Sequence, residues 1–159
     1  MTRFAAVPLT LISLVLGLAA CGGDDGGGST PSKADFAASA DQICKDAEDA
    51  LKNVGQNASS PEEIAAAVDK VIDETQKSVD KLKDLDRPSG EAGQQAGEFV
   101  DAIQSDIEGK GIPALEDLRD AVKSKDQAAA QKAAQKLQAI ETTDSDKLAS
   151  EIGAKGCAN

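Results

Sequence analysis

Three cysteines, Cys21, Cys44 and Cys157, are the side chains best suited to covalent chemistry in this 159-residue chain. A catalytic thiol or hydroxyl needs a neighbouring base, and the chain contains no His. Two thiols without a His also make a poor zinc site. We therefore expect the cysteines to serve structure rather than catalysis, and we expect no bound metal or cofactor and no enzymatic activity.

Acidic side chains are abundant but fall on predicted polar faces or helix ends. This placement favours a solvated surface over general acid–base catalysis, which needs carboxylates in a pocket. The groups in question are Asp46, Glu48 and Asp49; Asp84 and Asp86; and Glu116, Asp117 and Asp120. The triplet Asp144-Ser145-Asp146 is similar to the opening of a calcium loop, but no Gly and no Glu follow at the required positions. We expect helix capping there.

The charge balance limits the classes of partner. The chain carries 28 Asp and Glu against 17 Lys and Arg, which gives a formal net charge of −11. Nucleic acids and anionic lipid surfaces are bound mainly through Lys and Arg. We therefore expect no nucleic-acid partner and no electrostatic docking on anionic lipid.

Residues 1–20, MTRFAAVPLTLISLVLGLAA, have the pattern of a secretory signal peptide. Arg3 is the one charge, an apolar run follows from Phe4, and small residues stand at the end. A transmembrane helix needs about 20 apolar residues, and this run is shorter. We predict that the protein is exported.

The segment Leu18-Ala19-Ala20-Cys21 resembles the lipobox of bacterial lipoproteins, in which a Leu and two small residues precede a Cys. The resemblance implies that the Cys21 thiol receives a diacylglyceryl group and that a signal peptidase cuts before it. Cys21 is then the mature N-terminus, and acyl chains such as palmitate hold the protein on the outer face of the cell membrane. The alternative is an ordinary secreted protein in which Cys21 has no such role.

If Cys21 is lipidated, Cys44 and Cys157 remain as a pair. Two cysteines in an exported domain most simply form a disulfide bond, which here closes most of the folded region into one loop. In the chain-entropy model such a bridge contributes about 4–5 kcal/mol. The alternative is two free thiols.

The cysteines are positioned by a predicted tether and a helical domain. Residues 21–31 are rich in Gly, Ser and Asp, which is typical of a flexible linker with a reach of roughly 17–20 Å. Residues 32–159 show helical apolar periodicity and no strand-like alternation. The predicted helices start after Ser32, at Pro61 after the cap Ser60, near Glu91, near Ala114, after Asp126 and near Leu148. They are interrupted at Gly55, at Arg87-Pro88, over Gly109–Pro113 and by a turn at Thr142–Asp146.

These helices predict an all-α, up-down bundle of about four main helices, the last one broken near Ser124. Apolar spacing places Phe36, Ala40, Ile43, Ala47, Ala50, Ile64, Val68, Val79, Leu82, Ala96, Phe99, Val100, Leu115, Leu118, Val122, Ala133 and Ile152 on the buried faces. Gly90, Gly93 and Gly97 form a stripe on the third helix. This stripe indicates either close packing of a neighbouring helix, the approach of a ligand or partner, or a frayed first turn.

The whole layout resembles a broad class of small bacterial lipoproteins, with a lipobox, a Gly/Ser/Asp tether and an acidic, Ala-rich helical domain that carries a Cys pair. Most members have no assigned activity. The resemblance implies a membrane-anchored, extracytoplasmic module that is not catalytic and that acts by interaction or in the cell envelope. The alternative function is a small-molecule or lipid carrier that binds between helices, for which a pocket of a few hundred Å³ is the discriminating feature.

Overall fold

The computed structural model describes residues 30–158, which form an all-α bundle without strands, as the sequence predicts. The elements are α1 (Lys33–Leu51), α2 (Pro61–Lys83), α3 (Gly90–Asp106), a π-helical segment (Ile107–Gly111), α4 (Ile112–Lys123), α5 (Gln127–Gln138), α6 (Thr143–Ile152) and a 3₁₀ turn (Lys155–Cys157).

Reciprocal side-chain caps fix the starts of α1 and α2. The Ser32 hydroxyl accepts the Asp35 N–H at 3.2 Å, and the Asp35 carboxylate accepts the Ser32 N–H at 3.1 Å. Ser60 and Glu63 form the same box at 3.2 and 3.0 Å. Each box satisfies N–H groups that have no partner within the helix. The predicted starts after Ser32 and Ser60 are confirmed.

The predicted interruption at Gly109–Pro113 is wrong, because the chain stays helical through this segment. Ile112 donates its N–H to the Ile107 carbonyl, five residues back rather than four. Pro113 has no N–H to give to an i−4 carbonyl, and the wider π turn accommodates that loss. The elements α3 and α4 are therefore joined in one helical path that runs antiparallel to α2.

The break expected near Ser124 is a chain reversal. Lys125 adopts a left-handed conformation with φ of 58°, and Asp126 caps α5 by accepting the Ala129 N–H at 3.0 Å. Lys136 of α5 reaches back to Asp117 of α4. The two helices are thus an antiparallel hairpin and not two halves of one bent helix.

Two predicted boundaries shift. The first helix ends at Leu51, four residues before Gly55. The turn predicted at Thr142–Asp146 is instead the start of α6, whose first turn contains Asp144 and Asp146. The helix capping expected at Asp144-Ser145-Asp146 is absent, because no side chain caps the start of α6. The Ser145 hydroxyl instead donates to the Thr142 carbonyl.

The main core cluster is supplied by α1, α2, α3, α6 and the C-terminal segment, and half of its buried members are alanines. Its buried members are Phe36, Ala37, Ala40, Leu82, Ala96, Phe99, Val100, Ala149, Ile152 and Ala154. Buried alanines let helix axes approach closely. Ile43, Leu85, Ile103 and Leu148 are partly buried and pack against the edges of the cluster. The predicted buried faces are correct along α3 and in the first two turns of α1, and only in part elsewhere.

The exceptions lie where an alanine occupies the middle of a contact. In the first half of α2 the buried residues are Ala65 and Val68, and Ile64 lies at the edge and is 39% exposed. In α4 the buried residues are Ala114 and Ala121. The flanking residues Leu115, Leu118 and Val122 are half-buried, and Ala50 of α1 is exposed.

A disulfide bond joins α1 to the C-terminal segment. Cys44 and Cys157 are bonded with 5.3 Å between their Cα atoms and 113 residues between them in sequence. The Gly156 N–H also donates to the Asp41 carboxylate at 2.7 Å. The predicted pairing is confirmed, and the C-terminal segment is held against α1 by a covalent bond and a charge-assisted hydrogen bond.

We predict that Cys157→Ser lowers the free energy of unfolding by about 4–5 kcal/mol, because it frees a long loop in the unfolded chain. Urea denaturation measures the loss. Cys21→Ser is the matched control and is expected to change stability by less than about 0.5 kcal/mol. Equal stability of Cys157→Ser and the parent protein contradicts the prediction.

A second prediction concerns pH. The Ser59 and Ser60 N–H groups, followed by their hydroxyls, lower the pKa of Glu63 from 4.5 to about 2. Because the folded-state pKa is the lower one, these bonds stabilise the fold fully above about pH 4.5 and are lost as the pH falls towards 2.

Glu63→Gln keeps a hydrogen-bonding side chain but does not titrate. We therefore expect the stability advantage of the parent over this variant, measured by thermal unfolding, to shrink between pH 4.5 and pH 2. Glu62→Gln, one residue earlier and outside the capping box, is the control. An advantage of the parent that stays constant over this range refutes the prediction.

Candidate functional site

A groove of about 360 Å³ runs between α1, α2, α3 and the C-terminal part of the chain, and we call it the central groove. Its walls are mainly apolar, and its volume falls within the range of small-molecule sites. The lining residues are Cys44, Ala47, Glu48, Leu51, Thr75, Ser78, Val79, Leu82, Ile103, Asp106, Ile107, Thr142, Ser145, Asp146, Gly156, Cys157 and Ala158.

Helical spacing places the walls. Cys44, Ala47 and Leu51 lie on one face of α1 at intervals of three and four residues. Ser78, Val79 and Leu82 form the facing wall on α2. Small side chains at several of these positions leave space that Leu or Ile would fill, which is the physical origin of the groove.

The disulfide bond closes one side of the groove. Both sulfur-bearing residues are half-buried, and both line the groove together with Gly156 and Ala158. Because the 3₁₀ turn is bonded to α1, the groove has a covalently fixed wall. Cys21, the predicted lipid site, lies outside the described residues.

Ser145 lies at the polar end of the groove and is 2% exposed. Its hydroxyl lies 2.9 Å from the Asp106 carboxylate and 2.9 Å from the Thr142 carbonyl, and its single proton is shared between these two acceptors. Lys110 donates to the other Asp106 oxygen at 2.6 Å. Asp106 therefore joins α3 to α6 at the point where the π-helical segment begins.

The ionisable side chains that line the groove are Glu48, Asp106 and Asp146, which we call the groove carboxylates. No Lys or Arg of residues 30–158 is among the lining residues. Asp106 raises the pKa of Lys110 through a hydrogen bond and its charge, and the nearby charges of Asp144 and Glu141 raise it further. The groove mouth is therefore an environment of net negative charge.

Of the three carboxylate groups considered from sequence, only Glu48 lines the central groove, and the other members do not converge on it. Asp46 and Asp49 are exposed on α1, and Asp84 and Asp86 are exposed after α2. Asp117 and Asp120 line a more open depression of about 450 Å³ between α4 and α5. Their partners there are cations of the same hairpin, because Lys136 contacts Asp117 and Arg119 contacts Asp120 at 2.9 Å. No group of three metal-ligating side chains occurs among residues 30–158.

Close packing against the glycine stripe is present, but the neighbour is the loop before α3 and not the helix that the sequence analysis expects. A side chain on Gly93 would collide with the Pro88 carbonyl, and one on Gly97 would lie 3.0 Å from the Arg87 guanidinium. Gly90 has a φ of 66°. The loop before α3 folds back over the first two turns of the helix, so the stripe serves this loop rather than a ligand.

From sequence, Ser145 is expected to take part in helix capping and Asp106 is not singled out, so the buried bond between them was not predicted. The signal for Ser145 was its spacing, because residues 145, 148, 149 and 152 share one face of α6 and three of them are apolar. A Ser on an apolar face indicates a buried hydrogen bond. No comparable signal marks Asp106, since its partners are Lys110 in the π-helical segment and Ser145, which is distant in sequence.

Within residues 30–158, no helix combines the length and apolar character needed to cross a bilayer. Comparisons with protein-family models, with curated proteins and with solved structures found no match to this chain.

We predict that Ser145→Ala lowers the free energy of unfolding by about 1–3 kcal/mol, because it removes a buried donor from Asp106. Urea denaturation measures the effect. Ser150→Ala is the control on the same helix, since the exposed Ser150 hydroxyl bonds only back to the Asp146 carbonyl at 3.0 Å, and it is expected to cost less than about 0.5 kcal/mol. Similar losses in the two variants contradict a special role for Ser145.

Proposed function

We propose that this protein is a lipid-anchored, extracytoplasmic module that binds a partner and does not catalyse a reaction. The observation that carries the proposal is Leu18-Ala19-Ala20-Cys21 at the end of an apolar leader, the arrangement that resembles a lipobox. The Gly/Ser/Asp-rich residues that follow lead to Ser32, which caps the first helix of the domain. This order of segments suits a domain held at a short distance from a membrane.

The side-chain inventory supports a binding role rather than a catalytic one. The chain has no His, and its two cysteines within the described part are joined to each other. The carboxylates with lowered pKa values take part in helix caps or in contacts with neighbouring side chains. Hydrogen bonds from Ser59 lower the pKa of Glu63, and a hydrogen bond from Arg119 lowers the pKa of Asp120. Such groups stay ionised at neutral pH and serve poorly as proton donors.

The central groove favours a second candidate function, a carrier of a small molecule. A groove of about 360 Å³ with mainly apolar walls is large enough for a small organic ligand. Its open side allows exchange of a ligand without unfolding, while the bonded 3₁₀ turn keeps one wall in place. A carrier on a lipid anchor hands its ligand to, or takes it from, partners at the same membrane surface.

The anchoring proposal predicts two results for the protein expressed in a bacterial host that processes lipoproteins. Mass spectrometry of the membrane fraction is expected to show loss of residues 1–20 and added acyl mass on Cys21, since two or more acyl chains anchor a protein stably. Cys21→Ser is expected to move the protein to the soluble fraction. Cys44→Ser is the matched cysteine control and is expected to leave the protein in the membrane fraction. An unmodified Cys21 in a soluble parent protein refutes the anchor.

A further inference from the structure

The disulfide bond carries a further inference, which rests on the carrier function proposed above and concerns how that function is regulated. Cys44 and Cys157 are only half-buried, and both line the central groove. A thiolate must reach a sulfur atom before it can exchange with a disulfide bond, so the rate of exchange depends on access. The open side of the groove gives a small thiol a route to this bond in the folded protein.

The bond fastens a short segment of chain, Ala154–Ala158, to α1. This segment follows Gly153, which is exposed and has a left-handed φ of 95°. Besides the disulfide bond, the segment is held by an exposed hydrogen bond from the Gly156 N–H to the Asp41 carboxylate and by burial of the small Ala154 side chain. Reduction therefore removes the one covalent attachment of the segment to α1 and leaves weak contacts in its place.

The helices keep most of the core without this segment. Nine of the ten buried members of the core cluster lie in α1, α2, α3 and α6, and only Ala154 belongs to the C-terminal segment. The largest buried side chains of the cluster, Phe36 and Phe99, lie on α1 and α3. Opening of the bond is therefore expected to free the segment locally and to leave the helices folded.

Release of the segment removes one wall of the central groove. Gly156, Cys157 and Ala158 line the groove together with Leu51 of α1 and Val79 of α2. Once these three residues have moved away, water reaches the apolar body of a bound ligand from that side. The ligand then loses part of its buried surface, and its affinity falls.

We propose that the Cys44–Cys157 bond is a redox switch of the carrier: a dithiol reductant that enters the central groove opens the bond, and the bound ligand is released. One thiolate of the dithiol attacks one sulfur atom of the bond and forms a mixed disulfide, and the other cysteine leaves as a thiolate and takes up a proton. The second thiol of the reductant loses its proton and displaces the remaining cysteine, which is protonated in turn. The protein gains two electrons and two protons, and the dithiol is oxidised to a cyclic disulfide.

The first experiment follows reduction of the full chain with Cys21→Ser, which removes the third thiol and any acyl chains. Dithiothreitol is the reductant, and iodoacetamide labelling with mass spectrometry counts the freed thiols over time. We expect a rate that is proportional to the dithiothreitol concentration and that changes by less than about twofold in about 1 M urea, because a local reaction exposes little surface. A rate that rises with urea as steeply as global unfolding refutes the switch.

A pair of variants tests the route of the reductant. Ala47→Phe fills the groove one turn from Cys44 and is expected to slow reduction about fivefold or more, because exchange depends on access to the sulfur atoms. Ala50→Phe, on the exposed side of the same helix, is expected to keep the parental rate. Equal rates in the two variants overturn the route through the groove.

The second experiment measures binding of 1-octanol, a neutral apolar probe, through the NMR chemical shifts of Leu51, Val79 and Ile103, which line the groove. We expect the oxidised protein to bind octanol about tenfold or more tightly than the reduced protein, since the loss of burial of two methylene groups has an effect of this size. Far-UV circular dichroism is expected to show the same helix content in both forms. The double variant Cys44→Ser/Cys157→Ser is the control, and dithiothreitol is expected to leave its weak affinity unchanged.

The outcomes separate the switch from the carrier function on which it rests. If octanol binds the oxidised and reduced forms equally, or if reduction unfolds the helices, the switch is refuted and the carrier function stands. If octanol shifts the groove resonances of neither form, the switch and the carrier function are both refuted.

Discussion

The bond between Cys44 and Cys157 is the constraint on which the rest of the domain depends. It fastens the C-terminal segment to the middle of α1, and Gly156 adds a hydrogen bond to Asp41 beside it. Through this segment α6 is held over α1 and α3, where Ala149, Ile152 and Ala154 complete the core. A core with so few large side chains gains little from apolar burial alone, so a covalent link between its first and last elements is a substantial part of its stability.

The small residues that make the core thin also create the groove. Where Ala40, Ala149 and Ala154 meet, the elements approach closely and exclude water almost completely. About two turns further along α1, Ala47 lines a gap whose other walls include Thr75 and Ser78 of α2 and Ser145 of α6, and this gap is the central groove. The closely packed core and the open groove thus both follow from the high content of small residues. The disulfide bond lies between them, because Cys44 and Cys157 pack against the core and also line the groove.

The sequence predicts the parts of this structure that depend on local chemistry. Ser32 and Ser60 mark helix starts because their caps involve residues three positions away, and the pairing of Cys44 with Cys157 follows from the cysteine count once Cys21 is set aside. The predicted interruption at Gly109–Pro113 was wrong. Gly and Pro break helices in most contexts, but here a π turn continues the helix although Pro113 has no N–H to donate. The groove was beyond prediction in detail, since its walls come from elements that are brought together by the tertiary fold.

The most direct test of this account compares amide hydrogen exchange in the oxidised and reduced protein. If the disulfide bond holds one wall of the central groove, reduction accelerates exchange in the segment Ala154–Ala158, in α6 and in the middle of α1, while the hairpin of α4 and α5 keeps its protection. Exchange that is unchanged in α6 and the C-terminal segment, or that increases first in the hairpin, contradicts the account.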